Sequence, residues 1–116
     1  MKLLKTTMVL LLLAALGSCA PQVLPLYTWG SYEQDSYNYL HKANEESIQA
    51  LLLAYQEVIE NQEGSRETTP PGICADYGFL LLQLDRVAEG KAMLEKEIEL
   101  YPESKVFVDR ILKLIE

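Results

Sequence analysis

Few residues in this chain have both the type and the spacing to do chemistry, and Cys19 is the foremost. It closes the run Leu16-Gly17-Ser18-Cys19, in which an apolar residue and two small ones precede the thiol. Small side chains fit a peptidase pocket just before the cut, and cleavage there would make Cys19 the first residue of the mature chain. Its thiol would then take a diacylglycerol, and its new amine a third acyl chain such as palmitate. Two or more buried chains, at about 0.8 kcal/mol per methylene, anchor a protein stably.

The remaining candidates are weaker. Once Cys19 is acylated, Cys74 is the only thiol, so an intramolecular disulfide and a paired-cysteine metal site are both excluded by count. Cys74 falls on an apolar helix face and reads as a small buried hydrophobe, with an intermolecular disulfide as the alternative. His41 is the single histidine and has no nucleophile motif near it. Glu95 and Glu99 share a helix face, which a solvated acidic surface explains. Hydrolase triads, metal-ligand clusters and phosphate-cradling glycine loops are absent from the sequence. The expectation is a protein that is not an enzyme, with no catalytic residue, no metal and no cofactor beyond a lipid on Cys19.

The elements that must present Cys19 lie before it. Lys2 and Lys5 form a short positive region, and Met8 to Leu16 (MVLLLLAAL) an apolar one. Nine apolar residues are too few for a spanning helix, which needs about 20, but suit a signal peptide. Residues 1–18 are therefore read as a lipoprotein signal peptide, with Leu16, Gly17 and Ser18 as the lipobox. Residues 19–26 are read as a lipidated tether and 27–116 as an α-helical domain. An ordinary peptidase site with a passive Cys19 is the alternative. Ala20 stands where inner-membrane retention in enteric bacteria commonly uses Asp. The expected address is the outer membrane, periplasmic face.

Removing residues 1–18 from 116 leaves 98, one domain with a modest core. Two lysines leave with the leader, so 10 basic and 17 acidic side chains become 8 and 17, a formal charge of −9. That surface disfavours nucleic acid and anionic headgroups. Solubility alone also accounts for the acidity.

Ala20 to Leu26 (APQVLPL) carries two prolines, which favour extended backbone. Seven residues at ~3.3 Å each reach roughly 23 Å, so the domain is expected close to the bilayer. Tyr27, Trp29 and Tyr32 follow, with Tyr37 and Tyr39 soon after. These aromatics could cap the helical core, form a partner-binding patch, or rest at the membrane interface, where Trp and Tyr are favoured.

The body reads as helices throughout. Ser36 to Lys42 makes a short one, with Tyr37, Leu40 and His41 three and four apart. Asn44 caps the next, with Glu45 and Glu46 complementing its dipole. Ile48, Leu51, Leu52, Tyr55, Val58 and Ile59 repeat with helical period to about Asn61. Asn61 to Pro71 is a polar loop. Ile73, Tyr77, Leu80, Leu81 and Leu84, widened by Phe79 and Leu82, predict a central helix. Val87, Gly90, Leu94, Ile98 and Tyr101 stripe another, ended by Pro102. A last helix begins near Ser104 and covers the end of the array with Phe107, Ile111, Leu114 and Ile115. No segment alternates with period two, so no sheet is expected.

One hairpin has a recognisable spacing. Cys74-x2-Tyr77-Gly78-x2-Leu81, then Gly90-x3-Leu94, then Pro102 resembles the tetratricopeptide repeat pattern. Gly78, Gly90 and Pro102 fall twelve apart. Two small residues let paired helices approach, and the proline ends the second. Cys74, Tyr77 and Leu81 depart from the usual side chains, and Glu97 stands where a small residue is usual. Asn44, Gln56 and Thr68 occupy the same positions one 34-residue period earlier, so there is no second repeat. The expected fold is all-α: a short helical-hairpin array, tetratricopeptide-repeat-like, with a C-terminal capping helix.

Longer motifs carry a family resemblance. They are Leu26-Tyr27-x-Trp29-Gly30-x-Tyr32, Pro70-Pro71-Gly72-Ile73-x-Ala75-x-Tyr77-Gly78-Phe79-Leu80, Glu97-x-x-Leu100-Tyr101-Pro102-Glu103-Ser104, and Phe107-x-Asp109-Arg110-Ile111. Over residues 24–114 the chain resembles a family of small bacterial lipoproteins of unknown function. Its members are typically encoded beside two other lipoproteins, one similar to the curli secretion pore protein. The resemblance implies an envelope assembly with lipoprotein partners and implies no activity. Two functions follow as expectations. The first is a structural or accessory subunit of such an assembly, and the second a free-standing peptide-binding module.

Overall fold

The computed structural model describes residues 1–12 in full, the helical backbone of 13–15, and residues 20–116. Leu16, Gly17, Ser18 and Cys19, the expected lipobox and lipidation site, lie outside the described residues. The described residues are all helical, with no strand: α1 (Lys2–Ala15), α2 (Tyr32–Lys42), α3 (Glu45–Glu60), α4 (Ile73–Gln83), α5 (Val87–Leu100) and α6 (Lys105–Leu112). A 3-10 turn, Pro102–Ser104, joins α5 to α6. The chain is a short array of helical hairpins. α2 pairs with α3 and α4 with α5, α3 abuts α4, and α6 packs back on α5.

Local chemistry sets the boundaries. Asn44 caps α3: its Oδ1 accepts from Ser47 N at 2.9 Å, and Ser47 Oγ accepts from Asn44 N at 3.1 Å. Two of the donors that a helix start leaves orphaned are thereby satisfied. Pro70 and Pro71 end the loop before α4, since neither offers a backbone N–H to extend a helix through it.

The core has two parts. Leu51, Leu52, Tyr55 and Val58 of α3 meet Ile73, Tyr77, Leu80 and Leu81 of α4. Ala75 of α4 and Leu94 of α5 meet Val108 and Ile111 of α6. α4 serves both and is buried nearly all round. The exception is the stripe Asp76, Phe79 and Gln83, which three- and four-residue spacing places on one face.

Gly78 and Gly90 lie at the α4–α5 crossing. A Cβ built on Gly78 would stand 2.8 Å from Gly90 O, and one on Gly90 would stand 2.8 Å from Gly78 O. Each backbone fills the space where the other's side chain would be. Pro102 is the first residue of the 3-10 turn and is exposed.

Two helix faces differ from their sequence expectation. α2 begins at Tyr32 rather than Ser36, and its inner face is Tyr32, Ser36 and Tyr39. Tyr37, Leu40 and His41, whose spacing marks this helix in the sequence, point to solvent. The four added residues bring in Tyr32, whose contact with Tyr55 fixes the rotation of the helix. On α6 the buried residues are Val108 and Ile111, while Phe107 and Leu114 are exposed. The helix stops at Leu112, so Leu114 and Ile115 fall beyond it. Val108 is fully buried and packs with Ala75, Leu94 and Ile111.

Candidate functional site

The segment before α2 is docked onto the body. Ser65 N donates to Pro25 O at 2.9 Å and Arg66 N to Leu26 O at 3.1 Å. Gln62 closes a two-way bond with Thr28, its Oε1 accepting from Thr28 N at 3.0 Å and its Nε2 donating to Thr28 O at 2.8 Å. The approach is close enough to need glycine at 64, where a Cβ would lie 2.4 Å from Leu26 O. Pro25 and Leu26, at the end of the expected tether, thus form the start of a strap.

Backbone atoms crowd Gly64, so they cannot swing aside as a flexible side chain would. Gly64→Ala is expected to release the strap and lower stability by about 1–3 kcal/mol, the usual cost of overpacking. Trp29 is the only tryptophan, so its emission should shift to the red, and chymotrypsin should gain access to Tyr27. Emission and cleavage both unchanged would refute the docked strap.

The strap delivers its aromatics to a continuous ladder. Tyr27 meets Trp29 edge-on with centroids 6.2 Å apart, Trp29 meets Tyr32 at 5.7 Å, and Tyr32 meets Tyr55 at 5.3 Å. Tyr55 then stacks on Tyr77 at 5.3 Å. The ladder runs from the strap into the first core. Tyr27 and Tyr32 are half-buried, and Trp29 keeps 43% of its surface exposed. Burial pushes the Tyr55 phenol up, with Tyr32 and Asp76 adding to the shift, so this ring stays neutral.

Beside the ladder lies a hollow of about 370 Å³ between α2 and α4. Tyr32, Tyr39 and Leu40 form one wall, Asp76 and Phe79 the other, and Tyr55 the floor. A second hollow of about 190 Å³ lies between α4 and α6, with Phe107 and Ile111 opposite Ala75, Asp76 and Phe79. Asp76 and Phe79 border both, so the two form one groove with a ridge across it. Leu40 (77%), Phe107 (56%) and Phe79 (43%) leave much apolar surface open along it. A contiguous apolar patch marks an interaction surface more firmly than scattered exposed residues do.

Asp76 is the one charge lining either hollow. Partial desolvation by the surrounding side chains, with Glu97 behind it, holds its carboxyl above the usual range even though Asp76 is exposed to the groove. The ion pairs among the described residues, Arg86–Glu89 and Lys105–Asp109, lie elsewhere.

Behind the groove, Glu97 is fully buried on α5. Its Oε1 accepts from Gly72 N at 2.7 Å and from Ser104 Oγ at 3.3 Å, while Oε2 has no partner. One turn on, Tyr101 OH donates to Thr69 O at 2.6 Å. Together they hold the entry to α4. Burial raises the Tyr101 phenol, and neighbouring Tyr27 and Glu97 raise it further. Cys74 is buried, and the apolar surroundings together with Glu97 push its thiol up to about 11. A thiol so held is protonated at neutral pH and a poor nucleophile.

His41 stacks on Tyr37 with centroids 3.9 Å apart, its Nδ1 3.0 Å from Tyr37 O, and Glu95 and Glu99 are exposed. None converges on the groove. Among the described residues no group of three His, Cys, Asp or Glu side chains could hold a metal ion, and no helix is long and apolar enough to cross a membrane.

The structure gathers Tyr27, Trp29 and Tyr32 on one ladder, of which only Tyr32 reaches the groove. Sequence reasoning missed Tyr39, Leu40 and Asp76 as groove residues. One signal was available: Asp76 is the only charge in α4, an otherwise apolar helix. No curated protein and no solved structure is recognisably similar to this chain. A family model does match it, over residues 26–111, from the strap to the last buried residue of α6. By that match the chain belongs to the family described as a domain of unknown function (DUF4810).

Proposed function

We propose that the protein is a structural or accessory subunit of an outer-membrane lipoprotein assembly, held at the periplasmic face by a lipid on Cys19. A lipoprotein similar to the curli secretion pore protein is the partner proposed for it. The observation that carries this reading is the uncovered groove over α2, α4 and α6, in a chain with one repeat-like hairpin. Repeat arrays generally need three or more units to bury their faces, and a partner surface supplies what the missing units would. The anchor rests on Leu16-Gly17-Ser18-Cys19. From Ala20 to Leu24 only five residues separate it from the docked strap, roughly 17 Å at ~3.3 Å each. The same groove also favours a second reading, a free-standing peptide-binding module.

Cys19→Ser tests the first reading. It should leave an unprocessed precursor, abolish acyl labelling and remove the protein from stoichiometric complexes purified from membranes. Normal acyl labelling in that variant would sink the anchor. A labelled wild-type protein that purifies alone, yet binds peptides weakly and reversibly, would favour the module.

A further inference from the structure

We propose that the α2–α4–α6 groove seats an amphipathic segment of a partner protein, apolar along one side and carrying a lysine or arginine that meets Asp76. The proposal rests on the assembly reading above and adds to it the surface and the chemistry of the partner. Three features of the groove select this occupant.

The first is its division. Asp76 and Phe79, three residues apart on α4, stand as a ridge between hollows of about 370 and 190 Å³. A seated segment must place apolar side chains on both sides of that ridge, as the apolar stripe of a helix laid in a groove does. The second is its walls. Leu40 and Phe107 flank the ridge and are more than half exposed, so the apolar surface extends to both rims.

The third is charge. Asp76 is the only charged residue of the lining. Both ion pairs of the described residues lie outside it. Asp76 is exposed in the open groove; a segment that covers the groove takes it out of water, so a cation carried by that segment offsets the lost hydration. The chain as a whole has 17 acidic against 10 basic side chains. A second copy would bring a surface of the same sign, and so would anionic lipid headgroups, whereas a basic segment is drawn in.

The test places a photo-crosslinking amino acid at position 79 of the full chain, expressed in its own cells. The same probe at Glu95, exposed on α5, is the control. Position 79 should yield an adduct whose crosslinked peptide has apolar residues flanking a lysine or arginine, and position 95 should not. Asp76→Lys should reduce the adduct by roughly tenfold or more, since like charges facing each other are costly. Changing the partner's cation to Asp should restore it. Leu40→Glu, at an exposed rim position that leaves the core intact, should also weaken it.

Circular dichroism of the Asp76→Lys protein must show an unchanged melt for its loss to count, and Leu40→Glu carries the test if it does not. An adduct with a second copy or with the chain's own leader, a yield indifferent to both substitutions, or no adduct at 79 would overturn the proposal. Co-purification of wild-type protein with another lipoprotein separates the two claims. If it persists without an adduct at 79, the assembly stands and the groove is not its docking surface. If it is absent as well, the assembly reading fails with it.

Discussion

Gly78→Leu should lower the stability of the domain by about 1–3 kcal/mol or more, the cost of forcing extra methylenes into a packed site. The magnitude follows from what the side chain meets. Its first atom alone would stand 2.8 Å from Gly90 O, with Leu94 Cγ at 3.0 Å and Leu94 N at 3.2 Å. Two of those three atoms are backbone, so relief requires α5 to move as a body, and α5 carries Leu94 into the second core. Gly78→Ala gives the sharper sign test. On an open helix face alanine is stabilising by about 1 kcal/mol over glycine, whereas here it should destabilise. Gly90→Ala should do likewise, because the contact is reciprocal. The double variant should lose less than the two singles together, since helices already pushed apart no longer collide twice. Urea midpoints of the chain from Ala20 onward measure all of this. A midpoint that holds or rises in Gly78→Ala would disprove the close crossing.

Glu97→Ala should be the other large loss. Oε1 of Glu97 is the acceptor for Gly72 N at the entry to α4 and for Ser104 Oγ at the entry to α6. Alanine leaves that part-buried N–H unpaired, at about 1–3 kcal/mol, and adds a void where a fully buried side chain stood. Glu97→Gln separates the hydrogen bond from the charge. The amide keeps an oxygen for Gly72 N and fills the same volume, but its NH2 takes the Oε2 position, where no partner stands. Its loss should be below that of alanine, because the bond from Gly72 N and the packing are kept, and the unpaired NH2 sets the loss that remains. Amide exchange at Gly72 reports the bond directly and should accelerate in Glu97→Ala far more than in Glu97→Gln. Equal midpoints for the two variants would mean that the carboxylate contributes bulk alone.

Glu97 also shows where sequence reading ended. The repeat pattern marks its position for a small residue, and by type a glutamate belongs to the solvated face with Glu95 and Glu99. Only packing reveals that position 97 turns into the junction of α4 and α6, where an orphaned N–H and a hydroxyl are waiting. A sequence names a residue's period, but the partner of a buried polar group comes from an element 25 positions away. The same holds for Gly64, a turn residue by sequence and a contact point for Leu26 and Tyr27 in the fold.

What the sequence determined by itself is the local order. Helical period, the Asn44 cap, the Pro70-Pro71 break and the twelve-residue spacing of small residues are written in consecutive residues. They set five of the helices and their all-α pairing, because period and capping act within a few turns of one chain. The acidic balance of the chain and the residues before Cys19 belong to the same class, being composition and adjacency. Tertiary structure decided the faces. It chose Val108 over Phe107, turned Leu40 outward, folded Pro25 to Thr28 onto residues 62 to 66, and brought α2 and α6 to opposite sides of Asp76 and Phe79. Those outcomes depend on which elements the fold brings against a residue. A stripe of apolar residues says that a face is buried, but the rotation of the helix is fixed by the shape it packs against.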